Sequence, residues 1–215
     1  MLNENVVVEL VRRKVVTDTF RRLPVEKKEQ VYRTAIRLFG KYGYDGLPVE
    51  VICRQTGISK GSFFQYFPSK SHLLEFTVLV FDDYLTRMIE EIRRQEKAVL
   101  ARDRLLYLYH AIAVNTRLFE DEQAFYLFIT SAVRHAAIML EGIDLERHFR
   151  EYITEIIERG EKTGEIRGDF EIELTGYLVS SIIEGMVRRH YARHRAPSRL
   201  MGEYLISFLF DGIKA

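Results

Sequence analysis

Apolar residues recur every three or four positions along almost the whole chain, which is the spacing of one face of an α-helix. One such stripe consists of Val31, Ala35, Leu38, Phe39 and Tyr42. It ends at Gly43, a residue type that can adopt the positive φ that stops a helix. Prolines, which interrupt helices, occur only at positions 24, 48, 68 and 197. The pattern therefore predicts an all-α protein.

Capping and breaking residues divide this pattern into about nine helices that follow an N-terminal extension. Pro48 suits the first turn of a short helix over 49–56, and Gly57 ends it. Ser59 can cap a third helix over 60–66, and Ser69 can cap a long fourth helix that runs to about residue 92. Further breaks predict helices of about 102–118, 121–140, 144–162, 170–194 and 198–212.

Basic residues are concentrated in the first third of the chain. Residues 1–72 carry 13 Lys/Arg and 7 Asp/Glu, whereas residues 73–215 carry 19 and 24. A basic region followed by an acidic remainder suggests that the first third meets a polyanion.

The sequence lacks the signals that are typical of several functional classes. The chain has no Gly-rich phosphate loop and no recognisable nucleophile motif, so we expect neither an enzyme nor a cofactor. His190 and His194 have the spacing of a shared metal site, but neighbouring arginines oppose a metal ion, so we expect no metal.

The compartment follows from three further features. No apolar run reaches the length of a membrane span, so we expect no membrane partner. The first residues include acids where a secretion signal has a basic region. The single cysteine, Cys53, cannot form an internal disulfide, which fits a reducing compartment. We predict a cytoplasmic protein.

The two short helices around Gly57 form a helix-turn-helix pattern, in which the second helix enters the major groove of DNA. On that helix Phe63 and Phe67 would pack on the core, while Phe64 could either pack or touch a thymine methyl. Lys60, Ser62 and Gln65 would lie on its exposed side, and Gly61 would let the backbone approach closely. Tyr66 could reach the DNA backbone, and Lys70 begins the next helix, whose N-terminal amides favour a phosphate.

The segment VYRTAIRLFGKYGYDGLPVEVICRQTGISKGSFFQYFPSKSHLL, residues 31–74, resembles the DNA-binding domain of TetR-type (tetracycline-repressor-like) transcriptional regulators. The resemblance rests on LFGKYGYDG, GISKGSFFQYF and PSKSHLL at their fixed spacings, and it does not extend by sequence into residues 95–215. The family often has Ser or Thr before the second helix, whereas this chain has Leu47-Pro48-Val49. A hydroxyl contact to phosphate is lost there.

The resemblance implies a homodimeric repressor that binds a palindromic double-stranded DNA operator. By motif position, the residues that would face DNA are Ser59, Lys60, Gly61, Ser62, Gln65, Tyr66 and Lys70. It implies a helix-turn-helix domain over 25–72 and a larger helical effector-binding and dimerisation domain over 73–215. A small apolar or amphipathic effector would release the protein from DNA. The alternative is an architectural or adaptor protein of the same fold without an effector.

The last two helices are expected to form the dimer. Gly176, Ser180, Ser181 and Gly185 would leave one side of a helix small, so that another helix can approach closely. The final helix would add an apolar stripe of Tyr204, Leu205, Phe208 and Leu209.

Aromatic residues and a few cations occur together in residues 105–138, which is the mixture that lines an apolar pocket with polar groups. Most of these side chains must belong to the core. The candidates for effector contact are Tyr109, Arg117, Phe125, Phe128, Arg134 and His135. An arginine among them would suit an effector that carries an acidic group.

The N-terminal extension, residues 1–24, supports two interpretations. Five basic residues from Arg12 to Arg22 suit an arm that lies along DNA. Val7, Val11 and Val15 have helical spacing, which favours a helix docked on the core, and we expect the docked form.

Overall fold

A computed structural model describes residues 2–118, 120–130, 144–191 and 198–213. Within these residues the chain is helical and contains no strand, as the hydrophobic periodicity predicts. The elements are α1 Glu4–Arg12, α2 Asp18–Arg21, α3 Val25–Tyr42, α4 Val49–Thr56, α5 Lys60–Tyr66, α6 Lys70–Gln95, α7 Ala101–Leu118, α8 Glu120–Thr130, α9 Arg147–Lys162, α10 Ile172–Tyr191 and α11 Arg199–Ile213. Two of these helices, α1 and α2, lie in the N-terminal extension, which is docked and helical.

The described chain forms two compact units. The first contains α1–α5, α6 as far as Tyr84, and α8. The second contains α6 from Leu85, together with α7, α9, α10 and α11. A boundary between functional domains near residue 72 stays a prediction.

Helix α3 organises the first unit. Its predicted stripe is buried except at Tyr42, which is exposed because it lies in the last turn beside the chain reversal. Gly43 follows with φ of 66°, and its N–H bonds to the carbonyl of Phe39. Helix α8 packs so closely on α3 that a Cβ at Gly40 would lie 2.8 Å from the backbone nitrogen of Phe125. Only glycine permits this approach.

The second unit is built around α9 and α10. Its buried side chains on α9 recur at helical spacing and comprise Phe149, Tyr152, Ile153, Ile156 and Ile157. Helix α10 meets α9 at Gly176, where an added Cβ would lie 2.1 Å from Oγ1 of Thr154. Gly176 therefore serves packing within the subunit.

Candidate nucleic-acid interface

The turn between α4 and α5 is fixed by Gly57 and Ser59. Gly57 adopts a left-handed conformation with φ of 65° and ψ of 32°, which ends α4. Ser59 then caps α5, since its Oγ accepts a hydrogen bond of 3.0 Å from the backbone N–H of Ser62. The two serine hydroxyls also lie 2.9 Å apart. These local signals explain why both helix bounds agree with the sequence prediction.

Helix α4 begins without a side-chain cap. Pro48 occupies the position before its first residue, and its carbonyl accepts bonds from the N–H groups of Val51 and Ile52. No side-chain oxygen completes this end of the helix. The effect of this missing hydroxyl on a phosphate contact stays a prediction.

Helix α5 has one apolar side and one exposed side. Phe63 and Phe67 are fully buried. Phe64 is 48% exposed, with its ring edge-on to Phe63 at 5.2 Å between centroids. Lys60, Gly61 and Gln65 are exposed. A short helix anchored by two phenylalanines thus presents polar side chains to the solvent.

The seven predicted DNA-facing residues therefore lie on α5, in its N-cap and at the first residue of α6. Four of them are exposed, namely Ser59, Lys60, Gly61 and Gln65. The other three are half-buried, namely Ser62, Tyr66 and Lys70. Their contact with DNA stays a prediction.

Lys60 is held by a partner that the sequence did not reveal. Its Nζ lies 2.6 Å from Oε1 of Glu50 on α4. The hydrogen bond lowers the pKa of Glu50 and raises the pKa of Lys60. Both side chains are mostly exposed, so the pair contributes little to stability. Lys60 is the single cation in the sequence of α5, so the positive charge of this helix is paired within the motif.

Lys70 makes contacts that its position at the start of α6 did not suggest. Its Nζ donates to the carbonyls of Tyr44 at 2.8 Å and Leu47 at 3.0 Å. It also lies 4.2 Å from the centre of the Tyr44 ring. An ammonium has three donors, so one N–H remains for a phosphate. Lys70 thus fastens the connection between α3 and α4.

The first turn of α6 is closed by a group of short side chains. Ser69 Oγ lies 2.6 Å from Ser71 Oγ and 2.8 Å from Nδ1 of His72. The carbonyl of Ser69 accepts the N–H of Leu73. The backbone N–H of His72 also donates to Ser69 Oγ at 3.4 Å, so Ser69 caps α6 as predicted.

The candidate effector residues are divided between the two units. Phe125 is fully buried in the first unit, 5.3 Å from Phe81 and 6.2 Å from Phe128 between ring centroids. Phe128 also stacks on Phe39 of α3 at 6.3 Å. Both rings belong to the packing between α8 and α3.

Tyr109 belongs to the second unit, where its ring contacts Gly202 so closely that an added Cβ would lie 2.3 Å from Cδ1. Its hydroxyl is buried, and burial raises the pKa of Tyr109. The side chain of Arg117 is not described, and Arg134 and His135 lie outside the described residues. A pocket formed by these residues stays a prediction.

The described residues contain neither a metal-ligand cluster nor a membrane-spanning helix. In the part of the chain that the structure describes, no three His, Cys, Asp or Glu side chains gather as metal ligands would. The side chain of His190 is not described, and His194 lies outside the described residues. None of the described helices combines the length and apolar character needed to cross a bilayer.

Comparison with known proteins places the helix-turn-helix region in a family. The family described as "Bacterial regulatory proteins, tetR family" matches residues 31–76. The uncharacterised HTH-type transcriptional regulator YerO of Bacillus subtilis is 27% identical over 124 residues, which is 58% of this chain and 40% of YerO. This chain therefore spans less than half the length of YerO.

Two other similar proteins share more of their length with this chain. The HTH-type transcriptional repressor AcnR of Corynebacterium glutamicum is 22% identical over 168 residues, which is 77% of this chain and 82% of AcnR. The fold resembles that of the regulator FadR of Bacillus subtilis, with a TM-score of 0.68 and 18% identity over 86% of this chain and 99% of FadR. The family match and the motif geometry assign the helix-turn-helix region, residues 31–76, to the TetR family of bacterial transcriptional regulators, and the fold of the described chain resembles that of FadR.

Proposed function

We propose that the protein is a repressor that binds a palindromic operator as a two-fold dimer and leaves it when a small effector binds. The observation that carries the proposal is α5, whose buried Phe63 and Phe67 support an exposed edge with Lys60, Gly61 and Gln65. A helix of this kind fits the major groove, where side chains reach base edges. In a dimer, two such helices about one turn apart, roughly 34 Å, would read two half-sites.

Gln65 is the side chain best suited to read a base. It is neutral and exposed, and a glutamine amide can pair with both N6 and N7 of adenine. We expect Gln65→Ala to cost about 1–3 kcal/mol of binding free energy on the preferred operator, and to relax preference at one base pair per half-site. The slope of log affinity against log salt should not change, because no phosphate contact is lost.

The measurement begins with selection of bound duplexes from random DNA, which gives the operator and its symmetry. Affinities of the wild type and Gln65→Ala are then compared on the operator and on its single-base variants across a salt series. Gln95→Ala, the same change on an exposed position of α6, is the control. A Gln65→Ala protein with a lower salt slope and unchanged base preferences would show that Gln65 does not read sequence.

Exposed apolar residues on the last two helices support the proposed dimer. On α11, Tyr204 and Phe208 are 77% and 70% exposed and lie one turn apart. On α10 the exposed apolar side chains are Leu174, Tyr177, Leu178 and Ile182. Several large exposed apolar side chains on one pair of helices are typical of a protein interface.

The small residues of α10 divide between two roles. Gly176 packs on α9, and Ser180 is buried with its hydroxyl donating to the carbonyl of Tyr177. Ser181 and Gly185 are exposed, and no heavy atom would lie within 4 Å of a Cβ at Gly185. The close approach of a partner helix would therefore use the Ser181–Gly185 side.

Phe208→Glu should convert the dimer to a monomer in sedimentation equilibrium at micromolar concentration. A two-fold interface uses the same patch twice, so one substitution places two carboxylates in an apolar contact. The exposed side chain leaves the fold of the subunit intact, which circular dichroism can check. Val99→Glu adds the same charge at another exposed apolar residue, and it should stay dimeric. A monomeric wild type would refute the dimer.

The proposed effector is apolar or amphipathic and carries an acidic group. In the described part of the second unit, the buried hydroxyl of Tyr109 lacks a hydrogen-bond partner, which a bound ligand could supply. The related FadR of Bacillus subtilis was solved in complex with stearoyl-CoA. A thermal-shift screen with long-chain acids, aromatic acids and neutral hydrophobes separates an effector-responsive repressor from an adaptor, in which none of these raises the melting temperature or releases DNA.

A further inference from the structure

The N-terminal extension is part of the unit that carries the recognition helix. Phe20 of α2 is fully buried, and its ring centroid lies 4.9 Å from Phe67 and 5.0 Å from Phe76. Buried Lys28 of α3 donates to both carboxylate oxygens of Glu4 at 2.6 and 2.7 Å, and to the carbonyl of Arg21. An apolar anchor and a satisfied buried cation thus hold the extension in one position.

The extension contacts the C-terminal end of α5, at Gln65 and Tyr66. The backbone N–H of Thr17 donates to the carbonyl of Tyr66 at 3.1 Å, and its hydroxyl donates to the carbonyl of Gln65 at 2.5 Å. Carbonyls in the last turn of a helix have no partner within the helix, so Thr17 satisfies two of them. The connection between α1 and α2 consequently lies beside the residue proposed to read bases.

Two cations of the N-terminal extension are exposed and unpaired among the described residues. Arg12 pairs with Glu9, Arg13 with Glu75, and Arg21 with Asp18. Lys14 and Arg22 are exposed and have no ion-pair partner among the described residues. No acidic side chain in the described part of the chain therefore neutralises these two charges.

Lys14 projects from a fixed turn. Its φ is 59°, an uncommon value for a residue other than glycine. The turn is held by bonds from the N–H groups of Lys14 and Val15 to the carbonyls of Val11 and Leu10, and by burial of Val15 and Val16. Uncommon backbone conformations that the surrounding packing maintains are concentrated at functional sites.

We propose that Lys14 and Arg22 form a second DNA-backbone contact beside the recognition helix, which rests on the proposed binding of α5 in the major groove. Lys14 is three residues from Thr17, so its Cα lies within roughly 11 Å of it at full extension. Arg22 follows Thr17 across the single turn of α2, a similar or shorter span. The major groove is about 12 Å wide, so cations at this distance from α5 reach the phosphates at its edge.

The experiment compares three proteins on the selected operator and on an unrelated duplex across a salt series. The test variant is Lys14→Gln/Arg22→Gln. The matched control is Lys97→Gln/Lys162→Gln, which removes the same charge from exposed positions in the second unit. Each phosphate contact contributes about 0.9 to the slope of log affinity against log salt.

The test variant should lose about 1.8 of that slope per bound subunit on both duplexes, with its base preferences unchanged. The control should keep the wild-type slope, because a change in net charge alone removes no phosphate contact. Equal slopes for the two double variants would overturn the inference while leaving operator binding intact. A wild type that selects no duplex would overturn the proposed function, and this inference with it.

Discussion

Arg104→Met should lower the free energy of unfolding by about 3–5 kcal/mol, because it leaves a buried carboxylate without its partner. Nε of Arg104 lies 2.6 Å from Oε2 of Glu96, and the two side chains are only 4% and 5% exposed. Burial by itself lowers the pKa of Arg104, whereas the hydrogen bond to Glu96 raises it, and the net shift of the pKa is upward. The guanidinium also lies 5.9 Å from the centre of the Tyr152 ring. Chemical denaturation followed by circular dichroism measures the loss.

The double variant Glu96→Leu/Arg104→Met tests whether the loss comes from the orphaned charge. Oε1 of Glu96 and one terminal nitrogen of Arg104 have no hydrogen-bond partner, so the pair is incompletely satisfied. Removing both charges should therefore recover most of the stability that the single variant loses. Arg94→Met breaks the exposed pair with Glu91 and should change stability by no more than about 1 kcal/mol. An Arg104→Met protein as stable as Arg94→Met would contradict the prediction.

The sequence predicted the helices well where a residue acts on its own backbone. The bounds of α4 and α5 are fixed through local geometry by Pro48, Gly57 and Ser59. Such local signals are visible in the sequence without knowledge of the fold. Apolar periodicity likewise predicted the buried side of α3, because burial on a helix repeats with the helical turn. Tyr42 shows the limit of that inference, since it continues the stripe into the last turn of α3 and yet is exposed.

Contacts between distant residues could not be predicted in the same way. The bond from Lys70 to the carbonyl of Tyr44 and the bond from Thr17 to Gln65 join residues 26 and 48 positions apart. The spacing of long polar side chains along the sequence does not indicate which distant residues they will bind. Gly176 illustrates the same difficulty, because a small residue permits close approach of a helix without specifying which helix approaches.

Within the N-terminal extension, we expect the side chain of Phe20 to contribute most to stability. Phe20→Ala should lower the free energy of unfolding by about 3–5 kcal/mol, the usual cost of removing a fully buried phenylalanine. The ring lies among Tyr66, Phe67 and Phe76, so its loss leaves a cavity against the end of the recognition helix. Chemical denaturation measures the stability, and titration of the operator measures the effect on DNA binding.

Phe64→Ala is the matched control, because the same atoms are removed from a ring that is 48% exposed. Its cost in stability should be well below that of Phe20→Ala.

Hydrogen exchange then separates two outcomes for Phe20→Ala. If the extension and the helix-turn-helix fold as one unit, amides of α1, α2 and α5 lose protection together. Faster exchange confined to α1 and α2, with little change in global stability, would mean that the extension opens locally and does not support the recognition helix.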